Sequence, residues 1–221
     1  MKIDRLQAFS DGVFAILLTL LVLDFKVPDY QAGHLSQAVI AQWPTLAAYV
    51  LSFFYVGTLW LFHHDYFAKI KQTNWQLNVI NLSILFAVTL INYPTSLLSE
   101  SIAQQNGADI RFAFTSYAIV ALVISALFWV LYRYMALHHE LMRQYEQRHK
   151  EFYQTIKEEF YQTIKNDPLR SVLIYAIAIV GIQINSWLGA LLILLGNIFH
   201  FIAYLRLSRS VTLYHLNGKD E

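Results

Sequence analysis

Cysteine is absent from all 221 residues, which removes disulfides, thiolate nucleophiles and thiolate metal sites together. Charge is scarce as well. Asp, Glu, Lys and Arg make up 14% of the chain and apolar residues 57%, whereas a soluble domain carries about 25% charged residues. The formal net charge is +1, and no basic patch, Gly-rich phosphate loop or nucleophile–base pair is present, so nucleic acid is not an expected partner. The N-terminus does not read as a cleavable signal peptide. Its apolar run is long, lacks a small-residue cleavage site and carries Arg5 and Asp11 within or just before it.

What the chain does have is apolar stretches of spanning length, which take ~20 mostly apolar residues each. Six are expected, near residues 6–25, 39–62, 77–98, 112–134, 172–184 and 187–207. Pro44 lies near the start of the second and Pro94 near the outer end of the third. The fifth is short, and it meets the sixth in a tight hairpin at Gln183–Asn185–Ser186; the alternative is a re-entrant pair. Backbone groups in lipid must be satisfied internally, so these are helices, and the fold class is an all-α polytopic membrane protein forming one domain over 1–221. With both termini placed in the cytoplasm, the inner segments hold fourteen of the sixteen Lys and Arg, and the outside holds Lys26 and Arg111. Trp43, Trp129, Trp187 and the tyrosines suit interfacial belts. Gly181, Gly189 and Gly196 suit close helix packing.

Between spans four and five, Leu137, Leu141, Tyr145, Phe152, Ile156, Phe160 and Ile164 recur at helical spacing. An amphipathic helix at about 135–167, continuing span four into the cytoplasm and ended by Pro168, is expected. Within it, residues 150–157 and 158–165 are a tandem repeat differing at one position. Its eight-residue period drifts on a helix, so it is not a coiled-coil seam.

The first span, Arg5–Leu23, carries the most information. Asp11 is an ionisable group inside a membrane helix, which marks it for function and requires partners. At ~100° per residue, Ile16, Leu20 and Leu23 share one face with Phe9 and Gly12. Asp11 falls near the opposite side and Ser10 on the flank. Partners for Asp11 are sought in Ser10, Arg5 and His63 or His64, with Asn197 and His200 at middle depth on the last span. Such a network would tie helices together and, in the functional version, fix the tilt of the first span. Asn74, Asn78 and Asn81 share a face of span three and are expected to bond to neighbouring helices.

Arg5-x-x-x-Phe9-Ser10-Asp11 at the head of an apolar helix, with Trp60…His63–His64 at the end of span two, resembles the prokaryotic branch of the endolysosomal potassium channels, the transmembrane protein 175 family. The resemblance covers the whole chain. It implies a single-repeat subunit that assembles as a homotetramer in a prokaryotic cell membrane, with four first spans around a central pore. It further implies that Ile16, five residues after the motif aspartate, is the constriction, that Leu20 and Leu23 continue the pore face, and that Thr19 contributes to selectivity. No carbonyl-lined filter loop is present. A tight apolar ring would then select by dehydration, which costs K⁺ less than Na⁺, and the same ring would close by dewetting. No cofactor is implied; K⁺ and other monovalent cations are the permeant species. Asp24 and Asp29 would place eight carboxylates at the outer mouth of a tetramer.

Two readings from other classes stay open. His63–His64–Asp65 and His138–His139–Glu140 are His-His-acid triplets whose donors suit iron or zinc, as in a membrane metalloenzyme. Neither has a histidine at i+3 or i+4. An ion-coupled secondary transporter would show internal repeats among its spans, and none is found.

Overall fold

The computed structural model describes residues 2–141 and 167–217; for His139, Pro168 and residues 207–217 it describes the backbone alone. The elements formed by the described residues are helices joined by loops, the longest described loop at 25–34. Helix α1 is Ile3–Leu20, closed by a 3₁₀ turn at Leu21–Asp24. There follow α2 (Leu35–Ala41), α3 (Trp43–Ala68), α4 (Trp75–Thr89), α5 (Asn92–Gln104), α6 (Gly107–Leu137), α7 (Asp167–Ile184) and α8 (Ser186–Asn217). Five segments are long and apolar enough to cross a membrane: Ile3–Asp24, Trp43–Ala68, Trp75–Gln104, Gly107–Leu137 and Ser186–Arg206. The shorter apolar helix Leu169–Ile184 makes the sixth.

Sequence chemistry explains the boundaries. Asn74 and Asn106 sit in extended backbone and cap α4 and α6, Asn74 Oδ1 accepting from the Leu77 amide at 2.9 Å and Asn106 Oδ1 from Ala108 at 2.9 Å. Such caps satisfy amides that a helix start leaves free. Asn185 does the same for α8, accepting from the Trp187 and Leu188 amides at 2.8 and 3.2 Å, which makes the hairpin at that point. Pro168 lies in the first turn of α7, where its missing N–H is harmless. It therefore sits where a helix opens, and the segment it was expected to end lies outside the described residues. The third span breaks at Leu90–Ile91, because Pro94 cannot donate to Leu90 and its ring crowds that carbonyl. The backbone tightens there to bonds of Leu90 to Ala87 and Ile91 to Val88, both 3.2 Å.

Three boundaries differ from expectation. Span two begins at Trp43, since Gln42 turns the chain between α2 and α3, and it runs past residue 62 to Ala68. Helix α6 does not continue straight into the segment that follows it. It stops at Leu137, where His138 leaves helical geometry (φ −115°, ψ 64°), and a short 3₁₀ turn follows at His139–Leu141. The remainder of the expected amphipathic helix, with the tandem repeat at 150–165, lies outside the described residues.

Helix α6 is the hub, packed by α4, α5, α7 and α8, while α3 is packed by α1, α5 and α8. The α7–α8 hairpin closes on its glycines: a Cβ at Gly189 would fall 2.9 Å from Ile182 Cα, and one at Gly196 3.1 Å from the Tyr175 ring. Tyr55, Tyr117 and Tyr175 are fully buried at the centre. They are core residues, not interfacial ones: the Tyr55 ring packs on Tyr117 and Tyr175, with centroids 6.3 and 6.1 Å away, and both Tyr55 and Tyr175 pack on His200.

Candidate functional site

Helix α1 is peripheral. It packs on α3 and α4, burying Ile3, Leu6, Ser10, Phe14, Leu17 and Leu21, an i, i+4, i+7 stripe. The opposite face is uncovered within the chain. It carries Phe9, Ile16 (60% exposed), Leu20 (42%) and Leu23 (65%), with Gly12 and Thr19 exposed beside them. The set expected to line a pore is thus the set the protomer leaves free. The Thr19 hydroxyl donates to the Ile16 carbonyl at 2.8 Å, so its remaining lone pairs point off the helix.

The polar motif is built differently from its expectation. Ser10, not Asp11, occupies the middle of the packed face and is fully buried. Its Oγ donates to the Leu6 carbonyl (2.9 Å) and accepts from Asn81 Nδ2 of α4 (3.0 Å). Asn81 Oδ1 in turn lies 2.7 Å from His63 Nε2 of α3. Because the Asn81 amide nitrogen is committed to Ser10, its oxygen must accept, so His63 carries its proton on Nε2. The imidazole is stacked on Phe67 (4.2 Å, 12°) and tilted against Phe14 (5.3 Å). One asparagine thereby joins three helices.

Asp11 sits at the border of the packed face, and Trp60 Nε1 donates to its Oδ1 at 2.9 Å. Trp60 is braced by the exposed His64, ring to ring at 5.7 Å. Arg5 does not join them. It is exposed, and its spacing of four from Phe9 puts it on the uncovered face. Asn197 is also remote from the motif: its Oδ1 accepts from the Tyr175 hydroxyl at 2.7 Å in the central tyrosine cluster. Two shared polar properties, depth and hydrogen-bonding capacity, made it a candidate; the azimuth of α8 decides otherwise. At the C-terminal end of the first span Asp24 accepts from Ser96 Oγ of α5 at 2.7 Å, while Asp29 is exposed in the following loop.

The bridging role of Asn81 was the part least visible beforehand. Asn74, Asn78 and Asn81 share a face by spacing, yet Asn74 caps α4 and bonds the Tyr134 hydroxyl (2.6 Å), the Asn78 Oδ1 has no partner among the described residues, and Asn81 makes the bond to α1. The His-His-acid triplets are dispersed. His63 is used by Asn81, and His138 pairs with Glu140 at 2.7 Å on an exposed turn. Among the described residues no three His, Cys, Asp or Glu side chains come together as a metal site.

Comparison with known proteins gives a consistent answer. The family described as the endosomal/lysosomal potassium channel TMEM175 matches residues 5–92, the segment that holds the α1 motif and its α3 and α4 partners. A potassium channel of Streptomyces collinus is 41% identical over 132 residues, 58% of this chain and 64% of that protein. A potassium channel of Chamaesiphon minutus is 34% identical over 149 residues, 66% of this chain and 72% of that protein. The mouse endosomal/lysosomal proton channel TMEM175 is 38% identical over 109 residues, 44% of this chain but only 22% of that protein. The crystal structure of a lysosomal potassium-selective channel TMEM175 homologue from Chamaesiphon minutus superposes with a TM-score of 0.74 at 28% identity, covering 91% of this chain and 97% of that one. With its spans, its Phe-Ser-Asp motif and these relatives, the chain belongs to the TMEM175 family of membrane ion channels.

Proposed function

We propose that the chain is one subunit of a potassium-selective channel whose pore is lined by the uncovered face of α1. The observation that carries this is the two-sidedness of α1. Its packed face is fixed by a buried polar bridge to two other helices, while Ile16, Leu20 and Leu23 are held outward with no covering from their own chain. Four such faces around an axis form an apolar ring, which supports a homotetramer. Ile16 is the constriction. Each ion gives up part of its hydration there, and K⁺ does so at lower cost than Na⁺. Thr19 hydroxyls retain what hydration remains, and Asp24 and Asp29 raise the cation concentration at the outer mouth. Lys and Arg placement supports a cell-membrane protein with both termini cytoplasmic.

The test is the reversal potential of purified protein in a planar bilayer, first under a KCl gradient and then with Na⁺ on one side. The expected reversal lies near the K⁺ equilibrium value and moves toward zero in Ile16→Asn. A reversal that follows the pH gradient instead would make the protein a proton pathway, as the mouse relative is named. Saturable, counter-ion-coupled flux without ohmic current would make it a transporter.

A further inference from the structure

Helix α2, Leu35–Ala41, is seven residues long, carries no charged side chain, has no side-chain cap at its start and buries none of its residues within the chain. Helices shorter than ~12–15 residues are marginal in water, and in proteins most helical stability comes from an apolar face packed against something. The apolar face of α2 points away from its own chain. Leu35 and Val39 lie one turn apart with Ile40 beside them, and Val39 and Ile40 are 51% and 72% exposed. At ~100° per residue the polar Gln37 falls nearly opposite Val39. Something outside the chain must therefore cover this face.

The place of α2 in the chain points to the occupant. The first span ends at Asp24 and the second begins at Trp43, so α2 belongs to the connection between two spans. Gln42 alone separates it from the second. At 3.80 Å between successive Cα atoms, the last residue of α2 lies within about 8 Å of the start of a membrane helix. The exposed Trp43 stands at that junction, and tryptophan is favoured where membrane meets water. Contacts between helices inside membranes favour small residues, whereas the free arc of α2 is built from Leu, Val and Ile, which partition into the acyl layer. We propose that α2 lies in the headgroup layer of the bilayer, with Leu35, Val39 and Ile40 turned to the acyl chains, and that this lipid surface is what holds it helical. Because α2 has no charge, it is the apolar layer that it fits and not the charge of the headgroups. The seat also reaches the first span. Gln42 Nε2 donates to the Lys26 carbonyl at 2.8 Å, two residues past Asp24, so lipid that holds α2 also holds the end of α1.

The test uses the full chain, which has no cysteine, with a nitroxide label at Val39→Cys or at Gln37→Cys, reconstituted in phosphatidylcholine vesicles. Power saturation compares collisions with oxygen, which concentrates in the acyl layer, and with a water-soluble nickel chelate. The apolar face of an interfacial helix sits about 5–10 Å into the headgroup and acyl boundary, so the oxygen-to-nickel ratio is expected to be at least threefold higher at 39 than at 37. Equal ratios dominated by nickel place α2 in water and overturn the proposal. A label at 39 reached by neither reagent is covered by protein, such as a second copy of the chain, and overturns it too. Amide hydrogen exchange of the unlabelled chain in the same vesicles is the second measurement. Residues 35–41 are expected to exchange at least tenfold more slowly than an unstructured peptide, and Val39→Asp is expected to remove that protection while leaving α3 unchanged. Wild-type exchange at the unstructured rate, or protection unaltered in Val39→Asp, refutes the lipid seat.

Discussion

Asn81→Leu removes the side chain that bonds both to α1 and to α3, and the structure sets what that costs. Two hydrogen bonds vanish, to Ser10 at 3.0 Å and to His63 at 2.7 Å. Ser10 keeps its donor bond to the Leu6 carbonyl, so its loss is small. The His63 Nε2–H has no such alternative and is left buried without an acceptor, at about 1–3 kcal/mol. Interhelical hydrogen bonds inside membranes average about 0.6 kcal/mol and reach about 1.7 in measured cycles. The short distances and complete enclosure here argue for the upper end. Asn81→Leu should therefore destabilise the protein by about 1–3 kcal/mol, since the orphaned donor dominates. The discriminating variant is the double substitution. His63→Phe preserves a flat ring between Phe67 and Phe14 and removes the orphan, and replacing both partners by apolar groups can be nearly neutral. Asn81→Leu/His63→Phe should thus recover much of the loss, giving a coupling of about 1–2 kcal/mol in a double-mutant cycle. The assay is the unfolding midpoint of detergent-purified protein for the four chains of the cycle. If the two single losses simply add, the bridge is not a unit and this reasoning is wrong.

Other perturbations follow from the same geometry. Trp60→Phe deprives Asp11 of its indole donor, and bonds to charged groups contribute about 1.5–3 kcal/mol; the unfolding midpoint should fall, whereas His64→Ala, which removes only an exposed ring contact, should leave it nearly unchanged. Gly189→Ala drives a methyl group into Ile182 of the α7–α8 hairpin, and overpacking of this kind costs about 1–3 kcal/mol; a midpoint equal to the wild type would show that the hairpin relaxes freely. Burial pulls the Lys69 amine down to about 7 from 10.5, with the nearby Asp65 carboxylate opposing the shift. Between those two values the unfolded chain binds the extra proton, so stability should rise with pH across that window and be lowest below pH 7. Lys69→Met should flatten the slope in a series of melts from pH 6 to 9.

Much of the architecture was legible from the sequence because a bilayer imposes it: spanning length gives the helices. The face of α1 that carries Ile16, Leu20 and Leu23 was legible for a simpler reason, since helical spacing over so short a stretch fixes relative azimuth. Absolute azimuth was not. The Asp11 carboxylate drew attention as the costly group, yet it can settle at the edge of a packed face with one indole donor, while the small Ser10 fits the close contact with α4. Which of three asparagines on one helix face would bridge depended on how α4 sits against α1, and no local pattern carries that. Asn197 and the three central tyrosines were misjudged because polarity at a given depth is compatible both with an interface and with a satisfied core.

The two ends of the first helix are tied to different neighbours. In its N-terminal half Ser10 and Asp11 are anchored to α4 and α3, and at its C-terminal end Asp24 is anchored to α5. Thirteen residues separate the two carboxylates, a span of about 20 Å at 1.5 Å per residue. A rod fastened at both extremities cannot swing like a door. Any change in the width it leaves beside it must come from the stretch between the fastenings, by side-chain rotation at Ile16 and Leu20 or by a slight bow of the backbone near Gly12. The chain has no cysteine of its own, so a pair of spin labels could be placed at two introduced thiols, one along that stretch and one on α3. They would report small, central displacements, with the ends nearly still.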